Sequence, residues 1–151
     1  MTLNRRAFIG TGIATAAALN APMVMGQAKP RVVVIGGGAG GATAARYIAK
    51  DSKGAVDVTL VEANPIYTTC FFSNLYIGGF REFESLQHGY DKMAATGVTV
   101  INDLATGVDR AAKTVTLAGG AVLPYDRLVL SPGIDFRDGS VPGWSVDAHA
   151  E

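Results

Sequence analysis

The stretch Arg31-Val32-Val33-Val34-Ile35-Gly36-Gly37-Gly38-Ala39-Gly40-Gly41 decides the fold. Val32 to Ile35 are apolar without interruption, which suits a short strand buried on both faces of a parallel sheet. Gly36, Gly38 and Gly41 hold the G-x-G-x-x-G spacing, and Ala42 to Lys50 reads as the helix that follows. Each glycine has a physical task in that arrangement. Gly36 permits the tight turn out of the strand. Gly38 lacks a Cβ, so a pyrophosphate can approach the main chain. Gly41 lets the helix pack closely on the strand. Gly40 lies in the same bare loop and joins them as a cofactor-binding candidate. The helix N-terminus then offers free N–H groups and a partial positive charge to phosphates.

Working outward, Ala55 to Val61 reads as a second strand, and Glu62 follows it, 21 residues after Gly41. An acid at that distance, at the tip of the second strand, is placed to accept a ribose hydroxyl. The alternative for Glu62 is a solvated carboxylate at a strand end. Strand, glycines, helix, strand and acid together point to an α/β dinucleotide-binding unit.

The chain then departs from regular βα alternation. Ala63 to Asn74 carries a turn signal at Asn64-Pro65 and no clear period, and is expected to be a loop at the carboxyl end of the sheet. Val98 to Ile101 reads as a strand. Lys113–Leu117 and Ala121–Leu123 read as a hairpin joined by Gly119-Gly120. Tyr125 to Leu130 leads into the small-residue turn Ser131-Pro132-Gly133. A Rossmann unit, a small antiparallel β insertion and a strand ending in such a turn resemble the disulfide-reductase-like flavoproteins. That family usually has Ala-Thr-Gly at the turn, so Ser131, Pro132 and Gly133 form a variant.

Composition sets the outer bounds. The 151 residues, 48% hydrophobic and 17% charged, suit one globular domain. The 13 basic and 13 acidic residues balance, giving no reason to expect nucleic acid as a partner. The first 28 residues hold Arg5 and Arg6 and no acid, leaving a mildly acidic remainder. Arg5-Arg6 before Phe8-Ile9, with an Ala-rich apolar run to Leu19, has the layout of a cleaved export signal over residues 1–28, twin-arginine in type. The run is about ten residues long, against the ~20 a membrane-spanning helix needs. No membrane span is therefore expected. Residues 29–151 are the domain, exported to the periplasm on this reading.

Cys70 is the single cysteine, so no internal disulfide forms. It is either a buried apolar thiol or a reactive, externally linked one. His88 lacks metal-ligand spacing and is expected in a surface or turn role. Arg81, Glu82 and Glu84 read as a solvated helix start, and Trp144 as filling a hydrophobic gap. No metal site is expected.

Taken together, several stretches resemble the flavoprotein subunit of flavocytochrome c sulfide dehydrogenase. They are Val34–Ala45, Tyr67-Thr68-Thr69-Cys70 with Ser73-Asn74 and Ile77-Gly78-Gly79, His88–Asp91, Ala105–Gly107, Tyr125–Arg127 and Pro132-Gly133. The Tyr-Thr-Thr-Cys stretch is the most specific of them. The resemblance implies FAD joined through a thioether at Cys70, oxidation of sulfide at the flavin, and electron transfer to a c-type cytochrome subunit. It also implies a redox-active cysteine pair, which this sequence does not contain, so the catalytic residues stay unassigned. The family's chain is longer, and this one is expected to be the N-terminal portion of the FAD domain, incomplete at its C-terminal side and inactive by itself. Two alternatives stay open: a flavoprotein of the sulfide:quinone oxidoreductase type, and a non-catalytic truncated Rossmann module.

Overall fold

The computed structural model describes residues 28–135 and 137–145; the export-signal reading of the N-terminus, apart from Ala28, lies outside them. Four strands form a parallel sheet: β1 (Arg31–Ile35), β2 (Asp57–Glu62), β5 (Val98–Asn102) and β9 (Arg127–Leu130), in the order β5-β2-β1-β9. Helix α1 (Ala39–Asp51) connects β1 to β2. Between β2 and β5 the chain makes β3 (Ile66–Thr68), α2 (Ser73–Ile77), a 3-10 turn (Phe83–Leu86), β4 (Gln87–Gly89) and α3 (Asp91–Ala94). Between β5 and β9 it makes β6 (Ala105–Asp109), β7 (Thr114–Leu117) and β8 (Val122–Pro124), an antiparallel sheet of its own.

The unbroken apolar run in β1 is explained by what lies on each side. Val32 and Val34 face α1 and pack with Ala45, Ala49, Leu60 and Tyr90. Val33 faces the other way and packs with Val61, Val115, Leu117 and Tyr125. The sheet is thus the middle layer, with α1 on one face and the β6-β7-β8 insertion on the other. Leu60, Val34, Val61 and Val115 are its most buried side chains. Each contributes about 1.5–3 kcal/mol by leaving water.

Asp126 ties the starts of β1 and β9 together. Its Oδ2 accepts the Arg31 backbone N–H at 2.7 Å and the Arg31 Nε–H at 3.3 Å. Those bonds hold its carboxyl below the usual carboxylate range. β1 then pairs with β9 from Val32↔Arg127 to Ile35↔Leu130.

The structure corrects the sequence reading in three places. The stretch Ala63–Asn74 is not loop throughout: Ile66–Thr68 pairs antiparallel with Gln87–Gly89, and a short helix starts at Ser73. Three-residue strands are too short to show a period. Helix α1 begins at Ala39 and so contains Gly40 and Gly41 in its first turn. The hairpin gains a third strand, β6, whose residues are mostly exposed and so carry little apolar signal. The solvated helix start expected at Arg81, Glu82 and Glu84 is present as the start of the 3-10 turn: all three are exposed, Glu82 is its cap residue and Glu84 lies in its first turn.

Candidate dinucleotide-binding site

The chain leaves β1 on one side toward β2 and β5, and returns to β1 on its other side as β9. The sheet order therefore reverses between β1 and β9. In open α/β sheets, ligands lie outside the carboxyl ends of the strands at such a point. Here that place is occupied by the glycine loop after β1 and by Ser131-Pro132-Gly133 after β9.

These two turns are packed into one another. Ser131 donates its N–H to the Ile35 carbonyl at 2.8 Å, and Gly36 donates to the Val61 carbonyl at 2.9 Å. Gly36 has φ +97°, and a Cβ there would collide with the Ser131 carbonyl. A Cβ on Gly41 would collide with the Gly36 carbonyl, which is the close helix–strand approach the spacing predicts. A Cβ on Gly40 would stand 3.0 Å from the Ser131 Oγ. Gly38 differs: the nearest atom to its virtual Cβ is Cε2 of Tyr67, at 3.7 Å. The loop is thus closed at Gly36 by the main chain of Ser131 and at Gly41 by its own main chain, and open at Gly38.

Helix α1 starts at that opening. Gly38 is its N-cap residue, no side chain caps the helix, and its first turn holds no acid. The first N–H groups of a helix have no intrahelical partner. An uncapped N-terminus beside a bare glycine suits an anionic group, and a pyrophosphate is the anion this loop geometry takes.

Glu62 stands at the end of β2, as its spacing predicts, but it is engaged with the protein. Its Oε2 accepts the Gly37 N–H at 2.6 Å and its Oε1 accepts the Asn64 N–H at 2.9 Å. A carboxylate offers about four acceptor sites, so roughly two are left for a ligand hydroxyl. Glu62, Gly36, Asn64, Asp103, Ala105 and Pro132 belong to the lining of a cavity of about 380 Å³ at the carboxyl ends of the strands. That is within the ordinary range for a small-molecule site. The cavity, the open glycine and the uncapped helix together fit the adenosine and pyrophosphate of a dinucleotide. Gly133, with φ +83°, completes the turn beside it.

Cys70 follows β3. It is exposed and free, which excludes the buried apolar thiol considered above. The Tyr67–Cys70 stretch begins at the glycine loop, since Tyr67 is the side chain beside Gly38. Tyr67, Phe71, Phe72, Arg81 and His88 line a second cavity, also about 380 Å³. The Arg81 guanidinium lies 5.0 Å from the centre of the Phe72 ring. His88 is exposed on β4, opposite Tyr67. Trp144 is half-buried in the C-terminal segment, where its N–H donates to the Val141 carbonyl at 3.0 Å. Among the described residues there is no cluster of metal ligands and no helix long and apolar enough to cross a membrane.

One residue at the site escaped the sequence reading. Tyr90 is buried, and its hydroxyl donates to the Gly37 carbonyl at 2.9 Å from 53 residues away in the chain. Its ring fills the place a Gly37 side chain would take. Burial, followed by the charge of Glu62 and the neighbouring Tyr67, pushes its pKa up to about 12. No spacing rule links residue 90 to the loop; only its membership of the His88–Asp91 stretch marked it out.

The sequence profile of the pyridine nucleotide-disulphide oxidoreductase family matches residues 30–150. The probable ferredoxin reductase CtmF of Castellaniella defragrans is 31% identical over 120 residues, which is 78% of this chain and 29% of that protein. The flavoprotein chain of flavocytochrome c sulfide dehydrogenase from Chlorobaculum thiosulfatiphilum is 52% identical over 44 residues, covering 29% of this chain and 90% of that sequence. The X-ray structure of sulfide:quinone oxidoreductase from Aquifex aeolicus superimposes with a TM-score of 0.64 at 30% identity, covering 73% of this chain and 26% of that one. The chain therefore spans between a quarter and a third of the length of CtmF and of the Aquifex aeolicus enzyme.

Proposed function

The chain belongs to the pyridine nucleotide-disulphide oxidoreductase family, and from that premise we propose that it is the FAD-binding part of a sulfide-oxidising flavoprotein whose electrons go to a c-type cytochrome subunit. The observation that carries this reading is the junction at Gly38. An open glycine and an uncapped helix N-terminus stand beside Tyr67, the first residue of the stretch that ends at the exposed Cys70.

On this reading Gly38, Gly40 and the first turn of α1 hold the pyrophosphate. Gly36 and Gly41 keep the main chain in the required shape. Glu62 accepts from a ribose hydroxyl, and Ser131-Pro132-Gly133 forms the wall on the β9 side. Cys70 is the point of covalent attachment, its thiol being open to solvent. Bound FAD would supply what side chains lack, the capacity to take two electrons from sulfide and release them singly. The tether also suits export to the periplasm, where a lost flavin would not be replaced. The likeness to sulfide dehydrogenase and sulfide:quinone oxidoreductase supports the substrate.

A second reading keeps the substrate and changes the acceptor to a quinone; the match to the Aquifex aeolicus structure favours it. Offering the full-length protein sulfide with either a c-type cytochrome or a soluble quinone separates the two. Reduction of the cytochrome alone is the expected result. Reduction of the quinone alone would replace the first reading by the second.

A further inference from the structure

Two successive peptide groups in the glycine loop are pinned by side chains from elsewhere in the chain. The N–H of Gly37 is held by Glu62 at 2.6 Å. The carbonyl of Gly37 is held by Tyr90 at 2.9 Å. In a planar trans peptide the N–H points opposite to the carbonyl. The Gly37 carbonyl is drawn inward to a hydroxyl in the core, so the N–H of Gly38, in the same peptide, is turned outward toward the open side of the loop.

We propose that Tyr90 is a positioning residue for the cofactor: its hydroxyl sets the orientation of the Gly37–Gly38 peptide and so aims the Gly38 N–H at the pyrophosphate. The proposal rests on the reading that this loop binds a dinucleotide. The ring and the hydroxyl have separable duties. The ring packs with Val32, Ala45, Leu60 and Val98 in the core beneath α1. The ring also packs against Gly37, but only the hydroxyl makes the hydrogen bond to the Gly37 carbonyl. Burial keeps it protonated far into the alkaline range, so it stays a donor under any working condition. Gly37 itself must lack a side chain for the contact to exist, because a Cβ would overlap the Tyr90 ring. This gives the middle glycine of the run a duty that the G-x-G-x-x-G spacing does not assign to it.

The test uses the full-length protein carrying Cys70→Ala, so that flavin binding is reversible. FAD affinity is measured by flavin fluorescence, and adenosine affinity by competition, in that parent and after Tyr90→Phe. The phenylalanine keeps the ring, and thermal melting of both apoproteins checks that the core is intact. The proposal expects FAD to bind roughly tenfold more weakly, the size of one lost hydrogen bond, with adenosine affinity unchanged. Unchanged FAD affinity would overturn it. So would an equal loss for FAD and adenosine, which would make the residue a packing element only. Should the Cys70→Ala parent itself fail to bind FAD, the dinucleotide-binding reading falls first and takes this one with it.

Discussion

The carboxylate of Glu62 bridges two main-chain N–H groups, Gly37 at 2.6 Å and Asn64 at 2.9 Å, so the residue at the end of β2 holds the turn after β1. A ribose contact alone would leave it free in the absence of ligand. Bracing the loop gives it a second duty.

Glu62→Ala should therefore reduce stability as well as FAD affinity. Losing the acceptor leaves the N–H of the buried Gly37 without its partner, which costs about 1–3 kcal/mol. Glu62→Gln retains one acceptor oxygen and should lose less stability while still weakening FAD. Urea unfolding of the apoproteins beside FAD titration checks this. Equal stability in wild type and Glu62→Ala would contradict the bracing role.

Gly38 and Gly41 should fail in opposite ways. Gly38→Ala meets only Tyr67 at 3.7 Å and changes the N-cap of α1, a loss of about 1 kcal/mol at most. Its FAD affinity should nonetheless drop sharply, because a methyl group then stands where the pyrophosphate approaches. Gly41→Ala drives its methyl into the Gly36 carbonyl and should cost upward of about 2 kcal/mol before any ligand is added. Thermal melts of the two apoproteins, set against their FAD affinities, separate the roles.

Tyr90 should make the fold sensitive to strong alkali. Its pKa is about 12 in the folded protein, against an ordinary 10 in the unfolded chain. Between those values the unfolded chain gives up this proton first, so stability falls as pH rises from 10 to 12. Below pH 10 the contribution is fully present. The difference in stability between wild type and Tyr90→Phe should shrink across that window. A constant difference would mean the hydroxyl titrates normally.

Much of this was legible in the sequence because short-range rules govern it. The uninterrupted Val32–Ile35 run reports burial on both faces, and the two faces proved to be α1 and the β-insertion. The distance from Gly41 to Glu62 follows from one helix and one strand, so the acid fell at the strand tip as expected. Gly119-Gly120 marked its hairpin. What stayed hidden depends on distant packing. β6 is mostly exposed and lacks an apolar pattern. β3 and β4 hold only three residues each and exist because they pair. The interlock of Ser131 with Gly36, Gly40 and Gly41 joins residues some ninety positions apart. Tyr90 reaches Gly37 across 53 residues by a route no spacing encodes. The turn at Gly36 and the close packing at Gly41 could be read from the spacing, while the Ser131 contacts at Gly36 and Gly40 and the Tyr90 contact at Gly37 could not.

Cys70 carries the prediction about attachment. Acid precipitation of the full-length protein should bring the yellow colour down with the polypeptide, and Cys70→Ala should release it to the supernatant. Complete release from the wild-type protein would show a flavin held by non-covalent contacts alone.

The most direct test of the account is an anaerobic titration of the full-length protein with sulfide, followed at the flavin absorbance. The account predicts one bound FAD whose visible absorption bleaches on sulfide addition and returns when a c-type cytochrome is supplied and becomes reduced. A protein purified without flavin, or one whose flavin is bleached by NADH and left unchanged by sulfide, would contradict it.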